Sequence, residues 1–113
     1  LQNIHTVIKF GSFEKESNIK FHIVDSDLEL LSNFNRFNSL NNGIKYLQEN
    51  SGLLIFLGSH SIEDDDKIKG FGIGAQIINY FNIKDINLLT SSKKHSFVGI
   101  DGFGLNIIKE INI

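Results

Sequence analysis

The sequence predicts an α/β fold containing a parallel crossover unit, and three observations carry that reading. Leu53 to Leu57 is an apolar run between Gly52 and Gly58, as expected of a strand buried on both faces. Phe71 to Phe81 sets Ile73, Ile77, Ile78 and Phe81 at helical spacing. Ile86 to Leu89 is a second short apolar run. Parallel strands cannot be joined by a tight turn, so strand, helix, strand in this order points to a crossover.

The remaining elements follow along the chain. Ile4 to Phe10 reads as a first strand and Gly11 to Asn18 as a polar turn. Ile19 to Val24 alternates Ile19, Phe21 and Ile23 with Lys20, His22 and Val24, the pattern of a half-buried strand. These two strands are expected to form a hairpin with a long loop. Asp25 to Asp27 offers capping groups for a short helix over Leu28, Leu30 and Leu31. Ser32 to Asn42 is rich in asparagine and shows no clear period. Leu40, Ile44 and Leu47 predict a helix, with Ser39 as its cap and Asn50, Ser51 and Gly52 as its stop. Gly58 to Gly70 reads as a polar loop and Ser91 to Ser96 as a basic one. Leu105 to Ile113 alternates imperfectly and reads as a terminal strand.

Composition narrows the function classes. The 113 residues suit one domain spanning 1–113. The net charge of -2 gives no electrostatic footprint for nucleic acid or an anionic membrane. The sequence has no cysteine, which excludes disulfides, thiolate metal sites and cysteine nucleophiles. No apolar run approaches a membrane span, and a cytoplasmic location is expected. The absence of methionine leads us to expect a C-terminal piece of a longer chain. Arg36 is the one arginine, so chemistry needing two guanidinium groups is excluded.

Several motifs have both a chemical and a plain reading. Gly72 and Gly74 open the predicted helix, where bare backbone amides suit a phosphate; equally, small residues there let helix and strand pack closely. Glu63 to Asp66 offers carboxylates to a hard cation but lacks EF-hand spacing, and a solvated acidic loop is the plainer reading. His5, His22, His60 and His95 include no pair at zinc-protease spacing. Ser59 and His60 lack an orienting carboxylate. Lys93, Lys94 and His95 follow the strand ending at Thr90, where open α/β sheets bind ligands. An ordinary solvated loop reads the same way.

Taken in order, these segments resemble a known family. Phe71-Gly-Ile-Gly-Ala-Gln-Ile-Ile, then Ile86-Asn-Leu-Leu-Thr90, then Val98-Gly-Ile-Asp-Gly-Phe-Gly-Leu105, then Ile107 to Ile113 is similar to the C-terminal third of GTP cyclohydrolase II. Phe10-Gly-Ser-Phe resembles that family's opening Gly-Thr-Phe more loosely. The resemblance implies an α/β fold, a mixed sheet with helices on its faces. It also implies a zinc site of three cysteines, an acid/base aspartate and a phosphate-attacking arginine. Here Asn33 and Asn35 fall near two cysteine places, and Lys67-Ile68-Lys69 replaces Asp-Leu-Arg. His95 stands at the place of a triphosphate-contacting lysine, with Lys94 beside it, and Thr90 survives.

The resulting expectation is a degenerate domain with no catalytic residue and no metal or cofactor. In many bacteria this domain follows a 3,4-dihydroxy-2-butanone-4-phosphate synthase domain. A structural, dimerisation or regulatory role in such a riboflavin-biosynthesis protein is expected, with a second copy or the upstream domain as partner. The rival readings are a weak phosphate or nucleotide sensor built from Gly72, Gly74, Thr90 and Lys94, and a repurposed hydrolase using His60 with the acidic loop.

Overall fold

The computed structural model describes residues 6–24, 26–58, 66–90 and 104–113. The elements run β1 (Thr6–Phe10), β2 (Glu16–Val24), α1 (Asp27–Ser32), α2 (Phe34–Asn50), β3 (Gly52–Gly58), α3 (Asp66–Tyr80), β4 (Asp85–Thr90) and β5 (Asn106–Asn112). The strands form one mixed sheet in the order β1-β3-β2-β4-β5. Only β1 is antiparallel to its neighbour; β2 is parallel to β3 and β4, and β4 to β5. The fold is therefore α/β, as expected.

The expected hairpin of the first two strands does not form. β1 pairs with β3, Thr6 opposite Phe56 and Phe10 opposite Gly52. β3 carries Leu53, Leu54, Ile55 and Leu57, all buried, so it needs a strand on each side and a helix layer on each face. β1 leaves Ile8 41% exposed, which suits an edge.

The helices take opposite faces. On one face α2 packs Leu40, Ile44 and Leu47 against Leu54, Phe56, Leu89 and Ile111. On the other, α3 packs Ala75, Ile77 and Ile78, with Phe81 just past its end, against Ile19, Leu53, Ile55 and Ile86. The period-2 pattern of each strand thus feeds two cores. Among the described residues no helix is long and apolar enough to cross a membrane.

Helix boundaries differ from expectation at two starts. α2 begins after Asn33, whose side-chain oxygen accepts from the Arg36 amide at 3.2 Å. Ser39, expected as a cap, lies in the helix and faces the sheet, buried. α1 starts within the expected range, with Ser26 Oγ accepting from Glu29 N at 3.2 Å. α3 begins at Asp66, five residues before Phe71. The glycines that suggested a start belong to the helix instead. Packing on the sheet offsets the cost of about 1 kcal/mol per glycine. α3 ends at Tyr80, and Asn82 at φ 61 lets Ile83 N reach Ile78 O at 3.3 Å.

A bulge explains the imperfect last strand. Ile86 pairs with Ile107, but Asn87 pairs with Lys109, so Ile108 is the extra residue. Leu105 and Ile107 join the α3 core, while Ile111 and Ile113 join the α2 core. One inserted residue moves the odd-numbered positions from one face to the other.

Candidate functional site

Of the sequence-predicted anion-site residues, Gly72, Gly74 and Thr90 fall among the described residues. Gly72 and Gly74 lie roughly two turns inside α3. In a helix interior each amide is committed to the carbonyl four residues back, so these two are not open to an anion. A Cβ at Gly74 would stand 2.6 Å from Phe21 Cε1. Close packing of α3 on β2 is thus what this glycine permits. Thr90 ends β4, buried, and its carbonyl accepts from Ile113 N at 3.0 Å. Lys94, His60, His95 and the acidic residues 63–65 lie outside the described residues.

The structure brings together a set that sequence reasoning missed. Lys20 is only 7% exposed on the central strand β2, under α2. Its stem runs where a side chain at position 43 would be, since a Cβ on Gly43 would collide with Lys20 Cδ. Its Nζ donates to Phe21 O at 3.5 Å. Burial, and then the nearby Arg36 guanidinium, lower the Lys20 pKa from 10.5 to about 8. Arg36 reaches back from α2 and donates to Ile23 O at 2.6 Å. Ser39, on the buried face of α2 one turn before Gly43, has an Oγ with no hydrogen-bond partner among the described residues. His22 is buried edge-on to Phe56, ring centroids 5.7 Å apart. The one signal in the sequence was the polar alternate of β2, Lys20 and His22 between apolar residues.

This cluster holds two cationic side chains and a buried hydroxyl at the end of β2 where strand C-termini gather. It could attract an anion. It supplies no nucleophile–base pair, and among the described residues no group of three or more His, Cys, Asp or Glu could hold a metal ion.

A second feature lies on α1. The helix buries none of its residues. Leu28, Leu31 and the following Phe34 are 76%, 65% and 70% exposed. Leu28 and Leu31 stand three positions apart on α1, and Phe34 opens α2 just beyond it, so three large apolar side chains are exposed close together in sequence.

Comparison with known proteins agrees with this architecture. The GTP cyclohydrolase II family matches residues 30–112. A "3,4-dihydroxy-2-butanone 4-phosphate synthase" of Sulfurospirillum multivorans is 45% identical over 98% of this chain and 31% of its own length. Another protein of that name, from Wolinella succinogenes, is 40% identical over 95% of this chain and 30% of its own. "Riboflavin biosynthesis protein RibBA" of Staphylococcus aureus (strain COL) is 24% identical over 95% of this chain and 34% of its own. The chain spans about a third of the length of these curated relatives. With the five-stranded mixed sheet, the two helix layers and a match over most of its length, the chain belongs to the GTP cyclohydrolase II family.

Proposed function

We propose that this is a non-catalytic GTP cyclohydrolase II-like domain of a riboflavin-biosynthesis protein, attached to a 3,4-dihydroxy-2-butanone 4-phosphate synthase and serving as a contact module. The observation that carries the reading is the exposure of three large apolar side chains, Leu28, Leu31 and Phe34. They occupy the stretch where the family resemblance places the metal loop. Two of the relatives above carry the synthase name alone, which supports the attachment.

The donor set there does not fit a zinc ion. The chain has no cysteine, and structural and catalytic zinc take Cys, His or carboxylate ligands. Asn33 already spends its side-chain oxygen as a helix cap. No step through a metal is therefore part of this reading. Incubation with GTP and magnesium or zinc is expected to yield no formate and no pyrophosphate above blank. Turnover abolished by Lys67→Ala or Lys69→Ala would sink the non-catalytic reading.

The contact role has its own test. Leu28→Ser, Leu31→Ser and Phe34→Ser together alter only exposed residues, so the urea midpoint should shift by no more than about 1.5 kcal/mol equivalent, about 0.5 for each change. Sedimentation should show self-association, or binding to the synthase portion supplied separately, weakened at least about tenfold by the triple change. A chain that stays monomeric and ignores the synthase portion removes the contact role. The second reading, an anion sensor, would then rest on Lys20, Arg36 and the buried Ser39 hydroxyl, with Thr90 and Lys94 as its remaining sequence candidates.

A further inference from the structure

The edge of the sheet opposite to that basic cluster holds a polar cleft of about 430 Å³. It opens where β2, β4 and β5 begin and α2 ends. Glu16, Asn18, Asn87 and Lys109 line it with the rings of Phe13 and Tyr46. Asn87 is 7% exposed. Its Nδ2 donates to Glu16 Oε1 at 3.4 Å, while its Oδ1 has no hydrogen-bond partner among the described residues. An ionised carboxylate only accepts, so this contact fixes which end of the Asn87 amide is left over. The neighbouring Asn18 Nδ2 is already used on Ser51 O at 2.9 Å and Asn50 O at 3.2 Å.

A buried acceptor left unpaired is costly and calls for a donor. The cleft's charges say which kind. Glu16 beside the free oxygen favours a cationic donor and disfavours phosphate. Lys109 faces it from β5, brought opposite Asn87 by the bulge; a regular ladder would have set Ile108 there. An acid, a free acceptor and a base thus follow one another across three strands.

We propose that this cleft binds a small zwitterion of amino-acid size, its ammonium donating to Asn87 Oδ1 and Glu16 and its carboxylate meeting the Lys109 ammonium. The inference is independent of the contact role proposed above and uses the other edge of the sheet.

Glycine and glycine betaine test it, because both are zwitterions but betaine has no N–H. Amide NMR of the full chain is the readout. Glycine should shift the Asn87 side-chain amide and the Ser17 and Asn18 backbone amides saturably, and betaine should not. Glu16→Gln alters an exposed residue and should weaken glycine about tenfold without changing the fold; Lys109→Ala should do the same. Equal shifts with both probes overturn the proposal, as does no saturable shift by about 100 mM glycine. It is also overturned if Lys109→Ala moves the Asn87 side-chain amide while glycine never does, since Lys109 itself would then be the partner.

Discussion

Gly52→Ala is expected to destabilise the domain by about 2–6 kcal/mol, a large part of the roughly 5–15 kcal/mol such domains have. Gly52 joins α2 to β3 at φ 144, after Ser51 at φ 66. That backbone alone strains an L-residue. The added carbon would also collide with the Asn18 carbonyl oxygen and stand 2.6 Å from Leu47 Cδ2. Neither neighbour can retreat. Asn18 belongs to the central strand, and its side chain holds the end of α2 through the Asn50 and Ser51 carbonyls. Leu47 is fully buried. Gly104→Ala is the control, because Gly104 has φ 81 but, among the described residues, nothing within 4 Å of its would-be Cβ. It should cost only the backbone strain, about 1 kcal/mol. Urea midpoints of the two variants that agree within error would refute the collision account.

Lys20→Met is expected to stabilise the chain near pH 7 by about 1–3 kcal/mol. The Lys20 pKa falls from 10.5 to about 8 on folding, through burial first and Arg36 second. Below pH 8 the amine is protonated in both folded and unfolded chains, and the cost of the buried charge is felt in full. Between pH 8 and 10.5 the unfolded chain binds more protons, so stability rises with pH. Above 10.5 the cost is gone. The advantage of Lys20→Met should therefore hold below pH 8 and disappear by about pH 10.5. Methionine keeps the stem that fills the space under Gly43. Parallel denaturation curves at pH 7 and pH 10 measure the effect; a difference that does not change with pH would place Lys20 in water when folded.

Much of the fold was legible where one period dominates. Leu53 to Leu57 and Ile86 to Leu89 are apolar on both faces because helices cover both, and Leu40, Ile44 and Leu47 mark the side of α2 that meets the sheet. What failed depends on partners distant in sequence. Nothing local in Thr6 to Phe10 says that it lies beside β3 rather than β2. Gly72 and Gly74 read as a helix start because glycine weakens a helix on its own; their place inside α3 rests on packing, which Gly74 shows against Phe21. That boundary takes Gly72 and Gly74 away from the helix start, while Lys94 lies outside the described residues. Lys20 and Arg36 were invisible as a pair because 16 positions separate them and they lie on different elements, with α1 between. The last strand looked irregular because one residue too many sits in it, and only the pairing with β4 identifies Ile108 as that residue.

The strand order also constrains how the chain reaches this state. No two strands adjacent in sequence meet as a hairpin. Ile19 waits for Leu53, Thr6 for Phe56, and Glu16 for Asp85. Each pairing closes a long loop before any ladder rewards it, which places such a topology among the slower folders. During synthesis β2 can gain one neighbour when β3 emerges, but its second arrives only with β4. Until then β2 stands with its far edge unpaired. A ribosome pausing between β3 and β4 would hold the chain in its most aggregation-prone form.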